Sequence, residues 1–267
     1  MALVGGVVVA ISLLIVYLAP VIAPYNPVAI IDSANRLAPI GSPGHPLGTD
    51  YLGRDLLSRM LWGGQVSLLT GIIPVLISGV LGTALGIVAG FFGERLDNLI
   101  MRVLDVVFAF PSLLLAIAIV SALGPGLLNA LLAITIVQVP QYARLVRSSV
   151  LSLKEREFIT AARAMGARNS RMLVMHVLPN ALAPILVYGT LAVGRTVIFA
   201  AGLSFLGLGV EPPTPEWGAM LAEGRSVLSN APHVSTVPGL AIFIVTLCFN
   251  LLGEGLRDAL DPRLRQA

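Results

Sequence analysis

Charged residues are scarce in this chain, and this scarcity excludes the usual classes of soluble protein. Only 12% of the 267 residues are Asp, Glu, Lys or Arg, whereas soluble domains carry about a quarter. The single cysteine, Cys248, excludes an intrachain disulfide bond. The three histidines show no metal-ligand spacing, and no glycine-rich phosphate-binding loop is present. We therefore predict no catalytic residue, metal or cofactor in this chain, and any nucleotide that drives it must bind to another chain.

Apolar residues dominate the composition. They make up 56% of the chain, and the mean hydropathy is +0.90. A transmembrane helix needs about 20 apolar residues in a row, whereas a barrel strand needs about 10 of alternating character. The charge-free runs here are long and continuous, which predicts an all-α integral membrane protein. No charge precedes Asp32 and no basic n-region is visible, which favours a retained first membrane helix over a signal peptide.

Six membrane-spanning helices are predicted from the apolar runs. Gly124-Pro125-Gly126 divides the charge-free run 106–143 into two spans joined by a tight turn. The second and fifth spans are rich in Gly and Ala, which lets helix backbones approach closely. In order, the predicted spans cover residues 4–22, 67–92, the two halves of 106–143, 181–210 and 238–256.

The distribution of Lys and Arg predicts the orientation of these spans. With the N-terminus inside, twelve of these cations fall in cytosolic segments and four, Arg36, Arg54, Arg59 and Arg225, fall outside. Both termini are therefore predicted to be cytosolic. Arg195 is left within a span.

Two outer segments stand out. In residues 25–66, Thr49 or Asp50 is predicted to cap a short amphipathic helix that lies along the outer interface, with Asp50, Arg54 and Asp55 as its cap and surface charges. The segment 211–238 is predicted to be an ordered loop. The chain is thus divided into a first helix (1–24), an external loop (25–66), a five-span core (67–260) with a cytosolic loop at about 144–179, and a cytosolic tail (261–267).

The cytosolic stretch 160–179, TAARAMGARNSRMLVMHVLP, has the most informative spacing. One interpretation is that it only satisfies the cytosolic preference for basic residues. The other is a helix–turn–helix that docks into a groove of a second protein. In that case Gly166 permits the chain reversal, Met165 supplies an adaptable apolar contact, and Pro179 marks the start of the next span.

This stretch resembles the EAA loop of ABC-importer membrane subunits. The Ala-Ala, Gly and Leu-Pro of that loop stand here as Ala161-Ala162, Gly166 and Leu178-Pro179. Three further stretches, HPLGTDYLGRDLLSRMLWG, LSFLGLGVEPPTPEWGAML and LLGEGLRDALDPRLR, resemble the dipeptide/oligopeptide/nickel branch of these permeases, specifically its C-type subunit.

The resemblance implies a type I importer permease in a bacterial or archaeal cytoplasmic membrane. Its partners would be a homologous second permease, two cytosolic ATPase subunits that bind ATP and Mg, and an extracytoplasmic substrate-binding protein, with no nucleic acid. The cargo would be short peptides, with nickel or glutathione as alternatives. The implied ATPase contact is a coupling helix region comprising Phe158, Thr160, Ala161, Ala162, Arg163, Ala164, Met165, Gly166, Ala167 and Arg168.

The resemblance also gives two groups of residues candidate roles. Asp50, Arg54 and Asp55 would contact the docked binding protein. Arg195, Ser204 and Phe205 would line the substrate pathway or its gate, with close helix packing as the alternative role of the stretch 203–209 that contains Ser204 and Phe205. For Arg195, the alternatives are an ion pair with Asp105 or Glu254, or snorkelling to the interface.

Other functional classes remain as alternatives. A secondary transporter or channel concentrates ionisable groups at the membrane midplane, where only Arg195 qualifies. An intramembrane hydrolase needs a nucleophile with a base or a metal cluster, and neither is visible.

Overall fold

The computed structural model describes residues 2–30 and 35–260, and this part of the chain contains helices and no β-strand. The predicted all-α class is therefore confirmed. The predicted tail, 261–267, lies outside the described residues. The helices are α1 (Ala2–Tyr17), α2 (Ala19–Ile22), α3 (Leu56–Phe92), α4 (Glu94–Phe108), α5 (Ser112–Leu123), α6 (Leu127–Lys154), α7 (Glu157–Ala164), α8 (Asn169–Met172), α9 (Leu178–Phe205), α10 (Trp217–Gly224) and α11 (His233–Leu260).

Within the described ranges, three helical stretches are long and apolar enough to cross a membrane. They are Leu56–Phe92, Asn169–Phe205 and His233–Leu260. The pair α4 and α5 would supply a fourth span if the two helices are counted as one broken unit. The number of six spans and the cytosolic placement of both termini stay predictions.

The long helices form one bundle in which α3 packs against α6 and α9, and α9 packs against α11. Helix α1 lies along α11. The centre of this bundle is a cluster of buried apolar side chains that includes Leu68, Val75, Val197 and Phe249. Many other large apolar side chains of the same helices are exposed. This is expected for surfaces that face lipid or other subunits.

A row of glycines lies at the close contact between α3 and α6. Gly82, Gly86 and Gly90 are spaced four residues apart and lie on one face of α3. A Cβ atom on Gly86 would lie 2.5 Å from the carbonyl oxygen of Ala143 and 2.8 Å from Cβ of Val146. Since no side chain fits in this space, the two backbones can only approach this closely with glycine present.

The structure corrects the predicted outer helix. No separate amphipathic helix precedes the second span, because α3 begins at Leu56 and continues without a break to Phe92. Its N-cap is Asp55, whose carboxylate accepts a hydrogen bond from the Ser58 amide at 2.7 Å, and not Thr49 or Asp50. At about 1.5 Å per residue, the 37 residues of α3 extend well beyond a hydrocarbon core of about 30 Å.

The apolar run 106–143 also differs from the prediction. Its first half is not one straight span: α4 ends at Phe108, α5 begins at Ser112, and the two axes differ by 84°. Pro111 explains the break, because a proline disfavours the helical conformation in the residue before it. The predicted turn at Gly124-Pro125-Gly126 is confirmed, with positive φ angles of 94° at Gly124 and 133° at Gly126.

The outer segment 211–238 is ordered, as predicted, although it is more helical than a loop. It contains α10, whose N-cap Glu216 accepts a hydrogen bond from the Ala219 amide at 2.9 Å. The last long helix starts at His233, five positions before the predicted start at Pro238.

Candidate coupling segment and membrane cleft

Helix α7 is a short amphipathic helix with one buried face. Its residues Ile159 and Ala162 are 1% and 4% exposed. Ile159 belongs to a cluster that includes Val150 of α6, Met172 of α8 and Val177 just before α9. This packing fixes α7 against the bases of the two long helices that flank it.

The turn after α7 depends on Gly166. Its φ angle is +82°, a conformation that costs roughly 1–2 kcal/mol for other L-residues. The Gly166 amide donates to the Arg163 carbonyl at 3.0 Å, and the Ala167 amide donates to the Ala162 carbonyl at 3.1 Å. These bonds close the end of α7, and the chain reverses into α8. The predicted helix–turn–helix with a reversal at Gly166 is confirmed.

The second arm of this helix–turn–helix does not end before the membrane helix. Residues Leu173–Val177 form a π-helical segment that joins α8 to α9 without interruption, so that Asn169–Phe205 is one helical stretch. Pro179 lacks an N–H and its ring would clash with a carbonyl one turn earlier in a regular helix. A π-helical turn widens the backbone at such a point. Pro179 lies in the first turn of α9, which begins at Leu178, and the predicted start of the membrane span near Pro179 stays a prediction.

The predicted ATPase-contact residues divide by exposure. Ala162 is buried within this chain and is not available to a partner, which corrects that assignment. Ala167 is half-buried. Met165 is 82% and Phe158 42% exposed. We define the coupling surface as the exposed members of this set: Phe158, Thr160, Ala161, Arg163, Ala164, Met165, Gly166 and Arg168.

A cleft with several polar side chains lies along the C-terminal half of the same helical stretch. It has a volume of about 160 Å³, and its polar lining is Ser112 of α5, Gln138 and Gln141 of α6, and Tyr188, Arg195 and Thr196 of α9. Apolar side chains including Ile134 and Phe199 complete the wall. The cleft therefore brings six polar side chains together between helices whose other side chains are largely apolar.

Hydrogen bonds hold the cleft's polar side chains in place. The Gln138 amide nitrogen donates to the Thr196 hydroxyl at 2.8 Å, and the Tyr188 hydroxyl donates to Oε1 of Gln141 at 2.5 Å. The ring of Tyr188 packs edge-on against Tyr142, with 4.8 Å between centroids. Each bond joins α6 to α9, so that the two helices position the site together.

Arg195 is the cleft's cation. Its guanidinium carbon lies 5.2 Å from the centroid of the Tyr188 ring, within the range of a cation–π interaction. The alternative pairing with Asp105 is wrong, because Asp105 pairs with Arg144 at 2.6 Å. Over residues 2–30 and 35–260, no carboxylate, Glu254 included, forms an ion pair with Arg195.

The structure does not bring Ser204 and Phe205 into this cleft. Both lie in the last turn of α9, about 14 Å along the axis from Arg195 at 1.5 Å per residue. Ser204 is only 7% exposed. The segment that follows α9 is joined to the turn before α6 by a hydrogen bond, which the Gly126 amide donates to the Gly209 carbonyl at 3.0 Å. The gate role of these two residues stays a prediction that is separate from the cleft.

A third cluster is buried where α3 begins. Asp50 Oδ2 lies 2.6 Å from Nε of Arg54. Glu223 Oε2 lies 2.8 Å from the Nη2 atom of Arg54 and 2.8 Å from the Nη2 atom of Arg59. Nearby, Asp55 pairs with Nδ1 of His45 at 2.9 Å. These contacts fasten the segment before α3 to α10.

The cluster corrects the binding-protein prediction. Asp50, Arg54 and Asp55 are 1%, 3% and 0% exposed, so they are not the surface charges that the sequence suggested. An external partner could not reach them without unfolding this region. Asp50 instead shapes a turn, since its carboxylate accepts hydrogen bonds from the amides of Leu52 and Arg54, both at 2.9 Å.

Sequence reasoning missed Gln138, Gln141 and Tyr188 as parts of a site. A signal was present: Gln138 and Gln141 are polar residues three apart in an otherwise apolar run, so they share one helix face. Arg59 was also predicted only as one of the four cations outside the membrane, although its side chain is buried, at 1% exposure. Its acceptor, Glu223, is 164 positions away and could not be identified from spacing.

Comparisons with known proteins give a consistent result. The model of the family described as "Binding-protein-dependent transport system inner membrane component" matches residues 82–266. The dipeptide transport system permease protein DppC of Alkalihalophilus pseudofirmus is 47% identical over 265 residues, covering 99% of this chain and 86% of that protein. The glutathione transport system permease protein GsiD of Pectobacterium atrosepticum is 47% identical over 264 residues, covering 99% and 87%.

A solved structure shares the fold. A chain of the inward-facing MetNI methionine ABC transporter superposes with a TM-score of 0.66 at 19% identity, covering 77% of this chain and 98% of that chain. At this identity the likeness establishes a common architecture and carries no information on cargo.

Proposed function

Because the chain belongs to the family of binding-protein-dependent transport system inner membrane components, we propose that it is one permease subunit of an ATP-driven importer of short peptides. The family assignment confirms the resemblance found in the sequence, and it makes the chain an inner-membrane transport permease and not an enzyme. The relatives named for dipeptide and glutathione transport support a small peptide as cargo, since glutathione is itself a short peptide.

The proposal includes a full set of partners. A homologous second permease would complete the pathway, two cytosolic ATPase subunits would bind ATP and Mg, and an external binding protein would deliver the peptide. The chain itself would bind no nucleotide. Its coupling surface would seat in a groove of one ATPase subunit, with Met165 and Phe158 as the apolar anchors.

One observation carries this proposal: the coupling surface is continuous with a membrane helix. Ile159 and Met172 share one buried apolar cluster that joins α7 to α8, and α8 continues through the π-helical segment into α9. A displacement of α7 by a closing ATPase dimer would therefore move α9 as one body. Since α9 also carries Tyr188, Arg195 and Thr196, the same displacement would reshape the cleft. Two alternating states, each favoured by ATP or by cargo, follow from this connection.

The test uses the complete importer, co-expressed with its partners and reconstituted into vesicles. Replacing both Met165 and Phe158 by Ala removes the two large apolar anchors, each worth about 1–2 kcal/mol at an interface. We expect the co-purified ATPase and the ATP-driven uptake of a labelled dipeptide to fall together. Met175→Ala is the matched control, because Met175 is also exposed, at 60%, but lies outside the coupling surface.

Two results would contradict the proposal. In the first, the double variant retains the ATPase subunits and full uptake. In the second, the purified chain alone moves the dipeptide down its gradient, as a channel or secondary transporter would.

A further inference from the structure

We infer that the cleft around Arg195 is a carboxylate-binding site, which receives the C-terminal carboxylate of the peptide on its way through the membrane. The inference rests on the proposed function and gives the pathway a specific chemistry. It begins from a cation without a counter-ion. Arg195 is exposed on α9, between neighbours such as Val193 and Val197, and the carboxylates of the described chain form no ion pair with it.

A lipid-facing position does not account for this arginine. An Arg within a membrane helix is costly to place against lipid, so such residues face the bundle interior or a water-filled cavity. Arg195 lines a polar cleft together with Gln138, Gln141 and Thr196. The cation is therefore kept in a wet site inside the assembly, where an anion can reach it.

The cleft is built to hold the guanidinium in one place. Tyr188 lies beneath it, with 5.2 Å between the guanidinium carbon and the ring centroid. Tyr188 is itself fixed by its hydrogen bond to Gln141 and by the edge-on contact with Tyr142. A cation that is already oriented loses little side-chain freedom when it binds a carboxylate, which favours a bidentate contact.

The lining distinguishes one end of a peptide from the other. No Asp or Glu is among the residues that line the cleft, so a free amino terminus finds no counter-ion there. The Gln141 Oε1 atom accepts the bond from Tyr188, which leaves the Nε2 group of the same amide as a donor toward a peptide carbonyl. Positive charge with an amide donor matches a carboxylate next to a peptide bond.

The size of the cleft limits what it can hold. Sites for complete small-molecule ligands measure about 300–1,000 Å³, whereas this cleft has about 160 Å³. It can take the carboxylate end of a peptide and leaves the remainder outside. The rest of the cargo would then contact the second permease across the pathway.

The experiment measures uptake by the complete importer in vesicles, with the dipeptide Ala-Ala and its C-terminal amide as probes. Both are supplied at concentrations that give equal occupancy of the binding protein. A hydrogen-bonded contact to a charged group is worth about 1.5–3 kcal/mol, which corresponds to roughly 10- to 100-fold. We expect Arg195→Gln to lower Ala-Ala uptake by that factor and amide uptake by less than about twofold, and Arg195→Lys to recover part of the loss.

Two controls separate this role from others. Thr190→Ala changes a polar residue of the same helix whose hydroxyl bonds only to the Leu186 carbonyl, at 2.9 Å, and should leave uptake of both probes unchanged. Co-purification of the second permease is measured for every variant. If Arg195→Gln loses that partner, the arginine pairs with an acidic residue of the neighbouring subunit, and the inference is overturned.

The remaining outcomes are equally decisive. Equal loss for both probes would indicate a structural arginine, and no loss for either would remove it from the pathway; both results overturn the inference. If the wild-type importer assembles with ATPases but moves neither probe in response to ATP, the proposed function fails first, whatever the Arg195 variants do.

Discussion

Removing the Glu223 carboxylate should destabilise the outer part of the protein severely. Glu223 Oε2 accepts hydrogen bonds from Arg54 and Arg59, both at 2.8 Å, and these two arginines are 3% and 1% exposed. In Glu223→Ala, both guanidinium groups would stay buried with Asp50 as their one remaining counter-ion. Since Nε and Nη1 of Arg59 already lack a hydrogen-bond partner within the described chain, no compensating acceptor is at hand.

The magnitude follows from the burial of the three charges. Deleting one partner of a buried ion pair costs about 3–5 kcal/mol. Glu223 itself is 18% exposed, so water screens part of the interaction and the lower end, about 3 kcal/mol, applies. For a chain of this size, 1 kcal/mol corresponds to roughly 2–4 °C in Tm. We therefore expect the Tm of the purified protein in detergent to fall by roughly 6–12 °C.

The assay is a thermal unfolding scan of detergent-purified protein, followed by near-UV circular dichroism. Glu223→Gln keeps an acceptor oxygen and should fall between the wild type and the alanine variant. Glu211→Ala, in which an exposed carboxylate of the same outer segment is removed, should leave Tm within about 1–2 °C, since exposed charges contribute little. Equal Tm values for Glu223→Ala and Glu211→Ala would refute the reasoning.

Two further predictions concern glycines. Gly86→Ala should destabilise the contact between α3 and α6, because the new Cβ would lie 2.5 Å from the Ala143 carbonyl oxygen. Gly202→Ala is the control: its Cβ would meet nothing within 4 Å, so it should be neutral or slightly stabilising. A thermal unfolding scan compares the Tm values of the two variants. Gly166→Val should cost roughly 1–2 kcal/mol at its φ of +82° and lower the amount of co-purified ATPase, whereas Gly166→Asn, which tolerates this conformation better, should lose less. Similar Tm values for the Gly86 and Gly202 variants, or equal ATPase retention by the Val and Asn variants, would contradict the respective argument.

Features that depend on nearby residues could be predicted from the sequence. The helical class, the turn at Gly124-Pro125-Gly126 and the reversal at Gly166 are confirmed, because each follows from hydropathy or from backbone preferences over a few residues. The coupling role of the segment around Gly166 was also inferred from a short spacing, and it stays a prediction. The bend at Pro111 was predictable in principle, but the uninterrupted apolar run concealed it.

Features that depend on distant residues could not be predicted. In the sequence, Asp50 and Arg54 look like surface charges. Arg54 is buried against Glu223, which is 169 positions away, and a partner at that distance cannot be recognised from spacing. The start of α3 was also misplaced. The residues after its N-cap, Asp55, have a pattern that fits a short surface helix as well as the first turns of a longer helix. The exposure of individual α7 residues was also undetermined, because the burial of Ile159 depends on its cluster with Met172 of α8 and Val177.

The sequence by itself determined the helical membrane class, because low charge and long apolar runs are properties of contiguous residues. The permease family was indicated by the resemblance of short motifs, which are also local. Only the tertiary structure decided which polar groups meet. Burial of an uncompensated charge in apolar surroundings is costly, so the fold pairs Arg54 and Arg59 with Glu223 inside the outer region. Among residues 2–30 and 35–260, Arg195 has no ion-pair partner and lies beside Tyr188, in the cleft on α9.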